Sequence, residues 1–524
     1  MKGRFGSHIA VVCTVVAMGI MAATSGASAA THPQRVHSGG ALNIVAVTSQ
    51  WPGLDPATDT QDAADYAYLS AIFGQLIELQ PGGTILPDEL SSWAYSNHNA
   101  TLTLTIRKGV KFTDGNPLTA AVVAWSINRD LEPQFGNIGD VNFPLTPQGA
   151  YAVGNKVVMN TLEADTGLAY AFVNEAPNYT VDETALNSMG ETAYAQKPIG
   201  AGPFEVVSNS ASASLVVTKN AGYWQKGHPL LNSITWTNVG TDQSAISALQ
   251  TGEDELATGT TTIPLINQAP SEGITVTKLP QTVDEFITMN TNHAPFNNIL
   301  AREAVEYATD SAVLVNNLYP GSGYKLIQSE TAPGQHSYVK TNKYYLGYNL
   351  QKAQALVQQV AATSPGGKFT VDLSTTTNSA FWINEVQAIA TMWGNAGINV
   401  VIQDYSLQQM LGITFSGAWQ AIDENWGPSV DPTINDGQFF KGGAVFSGVN
   451  DPTLNGLLNQ SAGYNNPVKL AQVYGKIANL MNQQVYAVWM YAKNAFDLST
   501  KALVPNGGLA HTLLFVQWEN LALK

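Results

Sequence analysis

The feature that most restricts the fold of this 524-residue sequence is the exchange of two hydrophobic periods along its whole length. Thr101-Leu-Thr-Leu-Thr-Ile106 alternates strictly, which is the period of a half-buried strand. Ala41–Val47, Lys156–Thr161, Ser214–Lys219 and residues 368–373, 399–402 and 485–491 are further short apolar or β-branched runs and read as strands. Between them, residues 62–79, 243–251, 301–315, 351–361, 384–395 and 469–483 space their apolar side chains as helices do. Ser364-Pro-Gly-Gly367 is a stop after one of these helices. Strands mixed with helices throughout predict an α/β fold, and no repeat of about 20–50 residues interrupts it. The length exceeds what one core supports, so two or three domains are expected.

The first residues read as an address. Lys2 and Arg4 precede an apolar run over residues 9–23, and Ala27-Ser28-Ala29 offers small residues where a signal peptidase cuts. This predicts a signal peptide over residues 1–29, cut after Ala29, and an exported protein in the periplasm or on the outer face of the cytoplasmic membrane. Residues 30–40, with Pro33 and Gly39-Gly40, read as a flexible lead-in. Cys13, the only cysteine, lies inside the apolar run behind Val12, where a lipid-modified cysteine would follow a small residue, so the lipoprotein alternative fits poorly. One cysteine also leaves no disulfide within the chain and no thiolate metal site.

Charged residues make up only 12% of the chain and the net charge is -15, which gives no footprint for nucleic acid. The eight histidines include no pair at helical i, i+3 or i, i+4 spacing, so no protein-built metal site is expected. Ser322-Gly-Tyr-Lys325 matches the Ser-x-x-Lys pattern of acyl enzymes but lacks a helix start and supporting motifs, and reads as coincidence. Asp423-Glu424 invites a glycosidase reading; in a chain with 39 acidic residues it reads instead as a solvated turn. No catalytic residue and no cofactor is predicted.

Four blocks carry a specific resemblance. Arg107 to Trp125 (RKGVKFTDGNPLTAAVVAW) combines an Asp114-Gly115 turn with Thr119 as a helix N-cap. Pro198 to Trp224 pairs a Gly-rich entry with an Asn-x-x-Tyr-Trp exit, Phe286 to Asp310 runs from a strand through an Asn-rich segment to a helix, and Asn425 to Pro432 reads NWGPSVDP. Leu54-Asp55-Pro56 and two shorter matches accompany them. In this order they resemble the solute-binding proteins of peptide, oligopeptide and nickel ABC importers, family 5. The resemblance implies a two-lobed periplasmic-binding-protein-like fold of type II with an extra subdomain. Lobe I would hold residues 41–285 plus 496–524, with the subdomain at about 86–199; lobe II would hold residues 286–495, with a hinge between them.

It also implies a monomer that captures peptides or another polar solute between the lobes and delivers it to an ABC permease. The implied ligand-binding residues are Trp426, Gly427, Ser429 and Asp431, with Trp51, Asn290 and Asn292 beside them; Asp431 could equally cap the turn before Pro432. Ser429 stands where peptide binders of this kind place an Asp for the ligand's amino terminus. No arginine follows Arg302 to hold a ligand carboxylate, and Arg302 itself fits a structural helix position. Trp382, Trp393, Trp419, Trp426 and Trp489 all fall in lobe II and suggest an aromatic-lined cleft. A secreted hydrolase, or a surface interaction protein on the same scaffold, is the alternative class.

Overall fold

The computed structural model describes residues 38–47, 53–59, 65–80, 83–135, 142–210, 213–279, 283–335, 337–376, 380–425, 431–505, 509 and 516–524. The predicted signal peptide and most of the lead-in lie outside these residues. The alternating run Thr101–Ile106 buries every second side chain, as its period requires. It is one of the two inner strands of a four-stranded antiparallel sheet with Leu90–Ser96, Lys156–Thr161 and Leu145–Val153. Helix Ala120–Asp130 packs on this sheet. Thr119 starts it as expected, accepting a hydrogen bond from the Val122 amide at 3.3 Å.

Two larger sheets organise the rest. The first runs in the order Thr275–Lys278, Phe496–Ser499, Leu256–Thr258, Ala41–Val47, Ser233–Val239, Ser214–Lys219, Phe204–Ser210. Ala41–Val47 is parallel to both its neighbours, and the remaining pairs are antiparallel. The second runs Lys325–Leu326, Ala487–Lys493, Val283–Met289, Ala421–Asn425, Thr370–Thr376, Asn399–Tyr405, and its last three strands are parallel. The chain passes between these two sheets twice, from Lys278 to Val283 and from Lys493 to Phe496.

The Gly-rich entry of the second motif block has a packing cause. A Cβ on Gly200 would stand 2.1 Å from the Ile72 carbonyl oxygen, and one on Gly202 would stand 2.5 Å from the Gly74 nitrogen. Only glycine lets these two backbones meet. Asn220 then ties the exit to the entry, its amide donating to Gly202 O at 2.8 Å while its oxygen accepts from Gly222 N.

Two readings from periodicity need correction. The helix expected over residues 301–315 is two helices, Ile299–Ala308 and Ser311–Leu318. Asp310 caps the second by accepting from the Val313 amide at 3.0 Å, and that local bond outweighs a continuous helical ladder. The helical segment 62–79 yields to a strand, Ile77–Leu79, after helix Asp65–Phe73 ends at Gly74, whose φ of 72° lies in the left-handed region.

Candidate functional site

The small antiparallel sheet and its following loop meet the elements that flank the second large sheet along a polar seam. The Thr166 amide and hydroxyl both donate to Ala462 O, at 2.6 and 2.9 Å, and Asn99 Nδ2 donates to Gly463 O at 3.3 Å. Tyr95 orders the loop from behind: its hydroxyl donates to Thr166 O at 3.0 Å and accepts from Ala169 N at 2.9 Å. Helix Pro432–Phe440 crosses this seam, since Ile434 belongs to the same apolar cluster as Phe172 and Tyr179. Asp431 is its N-cap, accepting from the Thr433 amide at 3.0 Å and the Thr433 hydroxyl at 2.7 Å. The buried Asp431 carboxylate also lies close enough to Asp165 to raise its pKa, although burial is the larger cause; Asp165 is pushed up to about 6.

A second concentration of charge lies at one end of the second large sheet. Glu285 on Val283–Met289, Asp423 on Ala421–Asn425 and Glu385 on helix Ala380–Ala396 bring carboxylate oxygens within 4.8 Å of one another. Pairing register explains the meeting. Tyr491 faces Glu285 across one ladder and Ile287 faces Asp423 across the other, so all four side chains share one face. Thr370–Thr376 and Ala421–Asn425 are parallel strands that both end at this edge, the place where open α/β sheets bind ligands.

All three carboxylates are at least nine-tenths buried. Lys493 forms an ion pair with Glu285 Oε1. Its ammonium also lies 4.7 Å from the centre of the Phe381 ring and 5.3 Å from that of Trp382. The Tyr319 and Tyr491 hydroxyls each donate to Glu385 Oε2 at 2.7 Å. That leaves Glu385 Oε1 and both oxygens of Asp423 buried without a hydrogen-bond partner among the described residues. Burial pushes Asp423 well above the usual carboxylate range, reinforced by Glu385, Glu285 and Glu424; it also raises Glu385 and Glu285, against the pull of Lys493. Asp284, on the opposite face of the same strand, is likewise buried and raised well above its ordinary pKa, with Glu285 and Glu330 adding to the effect of burial.

Asp423 and Glu424 are therefore strand residues, and Asp423 is part of a buried cluster; the solvated turn expected from sequence is corrected. Two charges beside one another suggest exposure, but here Ala421-Ile422 commits the segment to a central strand before them. The Ala-Ile-Asp-Glu-Asn pattern bounded by Gly427-Pro428 was the available signal. Its partners Glu285 and Glu385 lie too far away in sequence for any local pattern to reveal.

Of the remaining sequence candidates, Asn290 and Asn292 fall among the described residues. Trp51, Trp426, Gly427 and Ser429 lie outside the described residues. Asn290 and Asn292 follow Met289 and so stand at the end of their strand opposite to the acid cluster. Asn290 is 3% exposed; its Nδ2 donates to Gly417 O at 3.1 Å and its Oδ1 accepts from Asn292 N at 3.1 Å, which occupies the amide with loop backbone. Arg302, the last arginine in the chain, is occupied in the same way. It donates to the carbonyls of Phe296, Gln484 and Val485. Trp393 and Trp489 are fully buried core residues and Trp419 is 4% exposed, whereas Trp382 is half-buried and faces Lys493. Lys325 lies on an edge strand and the buried Ser322 accepts through its carbonyl from Lys278 and Asn494, so no Ser–Lys pair forms.

Leu54-Asp55-Pro56 acquires a physical role. Asp55 receives a two-pronged contact from Arg129, at 2.9 and 2.6 Å, with both partners buried. The pair fixes the turn that follows residues 48–52 against helix Ala120–Asp130.

A family model described as bacterial extracellular solute-binding proteins, family 5 middle, matches residues 84–447, more than half of the chain. Over 319 residues the chain is 28% identical to the glutathione-binding protein GsiB of Escherichia coli O1:K1 / APEC, a stretch covering 60% of this chain and 60% of that relative. The fold is similar to that of AgaA from A. tumefacien R10, solved with agropinic acid. The TM-score is 0.79 at 19% identity, covering 93% of this chain and 99% of that one. It is similar also to that of the oligopeptide-binding protein AppA of Bacillus subtilis, solved with a nonapeptide. There the TM-score is 0.78 at 17% identity, covering 94% of this chain and 100% of that one. Both likenesses fix the two-lobed architecture.

Proposed function

The chain belongs to the bacterial extracellular solute-binding proteins of family 5, and from that premise we propose that it captures a peptide or another polar solute between its two lobes and hands it to an ABC permease. The observation that carries this reading is that the chain passes twice, between Lys278 and Val283 and between Lys493 and Phe496, from one sheet to another with which it shares no strand pairing. Two short connections side by side make a hinge, and a ligand held by both lobes shifts the population toward the closed form. Lobe I comprises residues 41–285 plus 496–524 with its subdomain at about 86–199, and lobe II residues 286–495. The polar seam at Thr166 and Asp431 is the line along which they close. Trp426, Gly427, Ser429 and Asp431, which follow Asp423 in the sequence, are the residues proposed to contact the solute, with Trp51, Asn290 and Asn292 beside them.

Capture without chemical conversion, by a monomer without a cofactor, agrees with the role of the family. Export through the leader at residues 1–29 places the protein outside the cytoplasmic membrane. No helix among the described residues is long and apolar enough to cross a membrane.

The test is thermal unfolding of the chain from residue 30 onward, alone and with separate panels of peptides, neutral oligosaccharides and metal chelates. A ligand that binds only the folded state adds about 2.7 kcal/mol of stability at a hundredfold excess over its dissociation constant. A rise in melting temperature with one panel identifies the solute class. Turnover of the peptide or glycoside by pure protein would instead make it a hydrolase.

A further inference from the structure

The acid cluster at the edge of the second sheet brings together more carboxyl groups than the cations of the described residues match. Three carboxylates converge there, and among the described residues Lys493 supplies the cation seated with them. That lysine also shows what the place is built to hold. Its ammonium rests on a carboxylate and against two aromatic rings, the surroundings that recognise organic cations. The Tyr319 and Tyr491 hydroxyls lock Glu385 through Oε2 and so fix the direction of its unpartnered Oε1. Asp423 is 5% exposed, accepts no hydrogen bond among the described residues and has an oxygen in the same convergence. A buried carboxylate left this way is costly unless something pairs with it. Lys493 itself is one-fifth exposed, so the cluster opens to solvent on the side of the lysine, beside the crossing at Lys493.

We propose that the captured solute carries an ammonium or guanidinium group that seats between Asp423 and the free oxygen of Glu385, alongside Lys493. This rests on the reading of the protein as a solute-binding protein and names the class of solute. With the solute in place, two cations face three carboxylates. Arg302, spent on backbone carbonyls, offers no opposing site for an anionic solute in the same lobe. The uncommitted electrostatics of this edge therefore select for positive charge.

The experiment is calorimetric titration of the mature chain with three peptides. Ala-Gln-Ala carries a free α-ammonium, N-acetyl-Ala-Lys-Ala carries only a side-chain ammonium, and N-acetyl-Ala-Gln-Ala carries neither. At least one charged peptide is expected to bind about tenfold or more tightly than the neutral one, and which of them does so identifies the source of the cation. Asp423→Asn is expected to abolish the preference. Nε-acetylation of the lysine in N-acetyl-Ala-Lys-Ala removes the same charge without touching the protein, should that variant fail to fold. Equal binding of the neutral peptide overturns the inference and leaves solute capture standing. Absence of binding by all three overturns it together with peptide capture. Calcium chloride that raises the melting temperature and displaces the charged peptide makes the cluster a metal site and also overturns it.

Discussion

Two buried groups of charge in this molecule follow opposite rules. Beside helix Ala120–Asp130, Asp55 and Arg129 meet in a two-pronged contact, and each is matched by the other. At the second large sheet, Glu285, Glu385 and Asp423 share Lys493, and carboxylate oxygens are left over. The paired site has what it needs for folding and asks nothing of a ligand. The unpaired site carries a cost in the empty protein that a bound cation can offset.

The comparison breaks most readily at the paired site. Arg129→Leu leaves Asp55 buried beside Asp130 without its guanidinium, and is expected to destabilise by about 3–5 kcal/mol in denaturant unfolding. An unchanged midpoint would show that Arg129 does not support the fold. Asp423→Asn is expected to do the reverse in the absence of ligand. It removes an unmatched acid at nearly constant volume and should raise stability by about 1–2 kcal/mol at pH 8. Destabilisation of similar size would mean that Asp423 is internally satisfied after all.

The same contrast sets the dependence on pH. Burial pushes Asp423 well above its ordinary range, Glu306 up to about 8 and Asp497 up to about 7. Each of these groups binds a proton in the folded protein at a pH where it has lost it in the unfolded chain. Their contribution is therefore fully present below about pH 4 and is lost as pH rises through the raised values. Taken over these groups, the melting temperature should fall between pH 5 and 8, and the fall should be smaller in Asp423→Asn. A melting temperature that rises across this interval contradicts the assignment. The smallest effect is expected at the seam. Thr166→Val removes the hydroxyl that donates to Ala462 O and should cost about 1 kcal/mol. Solution scattering without ligand should then show a more open shape; an unchanged profile would mean that the backbone bond from Thr166 N is sufficient.

How much of this was legible in the sequence follows from the range of each interaction. Thr101–Ile106 and the Thr119 cap are written in neighbouring residues and are found where the pattern put them. The break at Asp310 was also local, but a capping aspartate inside an apolar helical period is easily read through. The Gly-rich block at Gly200 and Gly202 was visible as a motif, while its reason, contact with the backbone at Ile72, required the fold. The acid cluster was out of reach. Glu285, Glu385 and Asp423 come together only because one strand order and one register bring a helix and two strands to the same edge. Each alone looks like one acidic residue among 39.

The position of Lys493 sets the charged cluster beside a crossing of the chain. It is the last residue of its strand in one sheet, and Phe496 already belongs to the other. Glu385 and Asp423 are anchored within the second lobe. Lys493 is paired with Val283 in that same sheet, so it keeps its place beside the carboxylates while the chain leaves the cluster within three residues. A cation seated at the cluster therefore sits next to the point where the chain crosses from one sheet to the other.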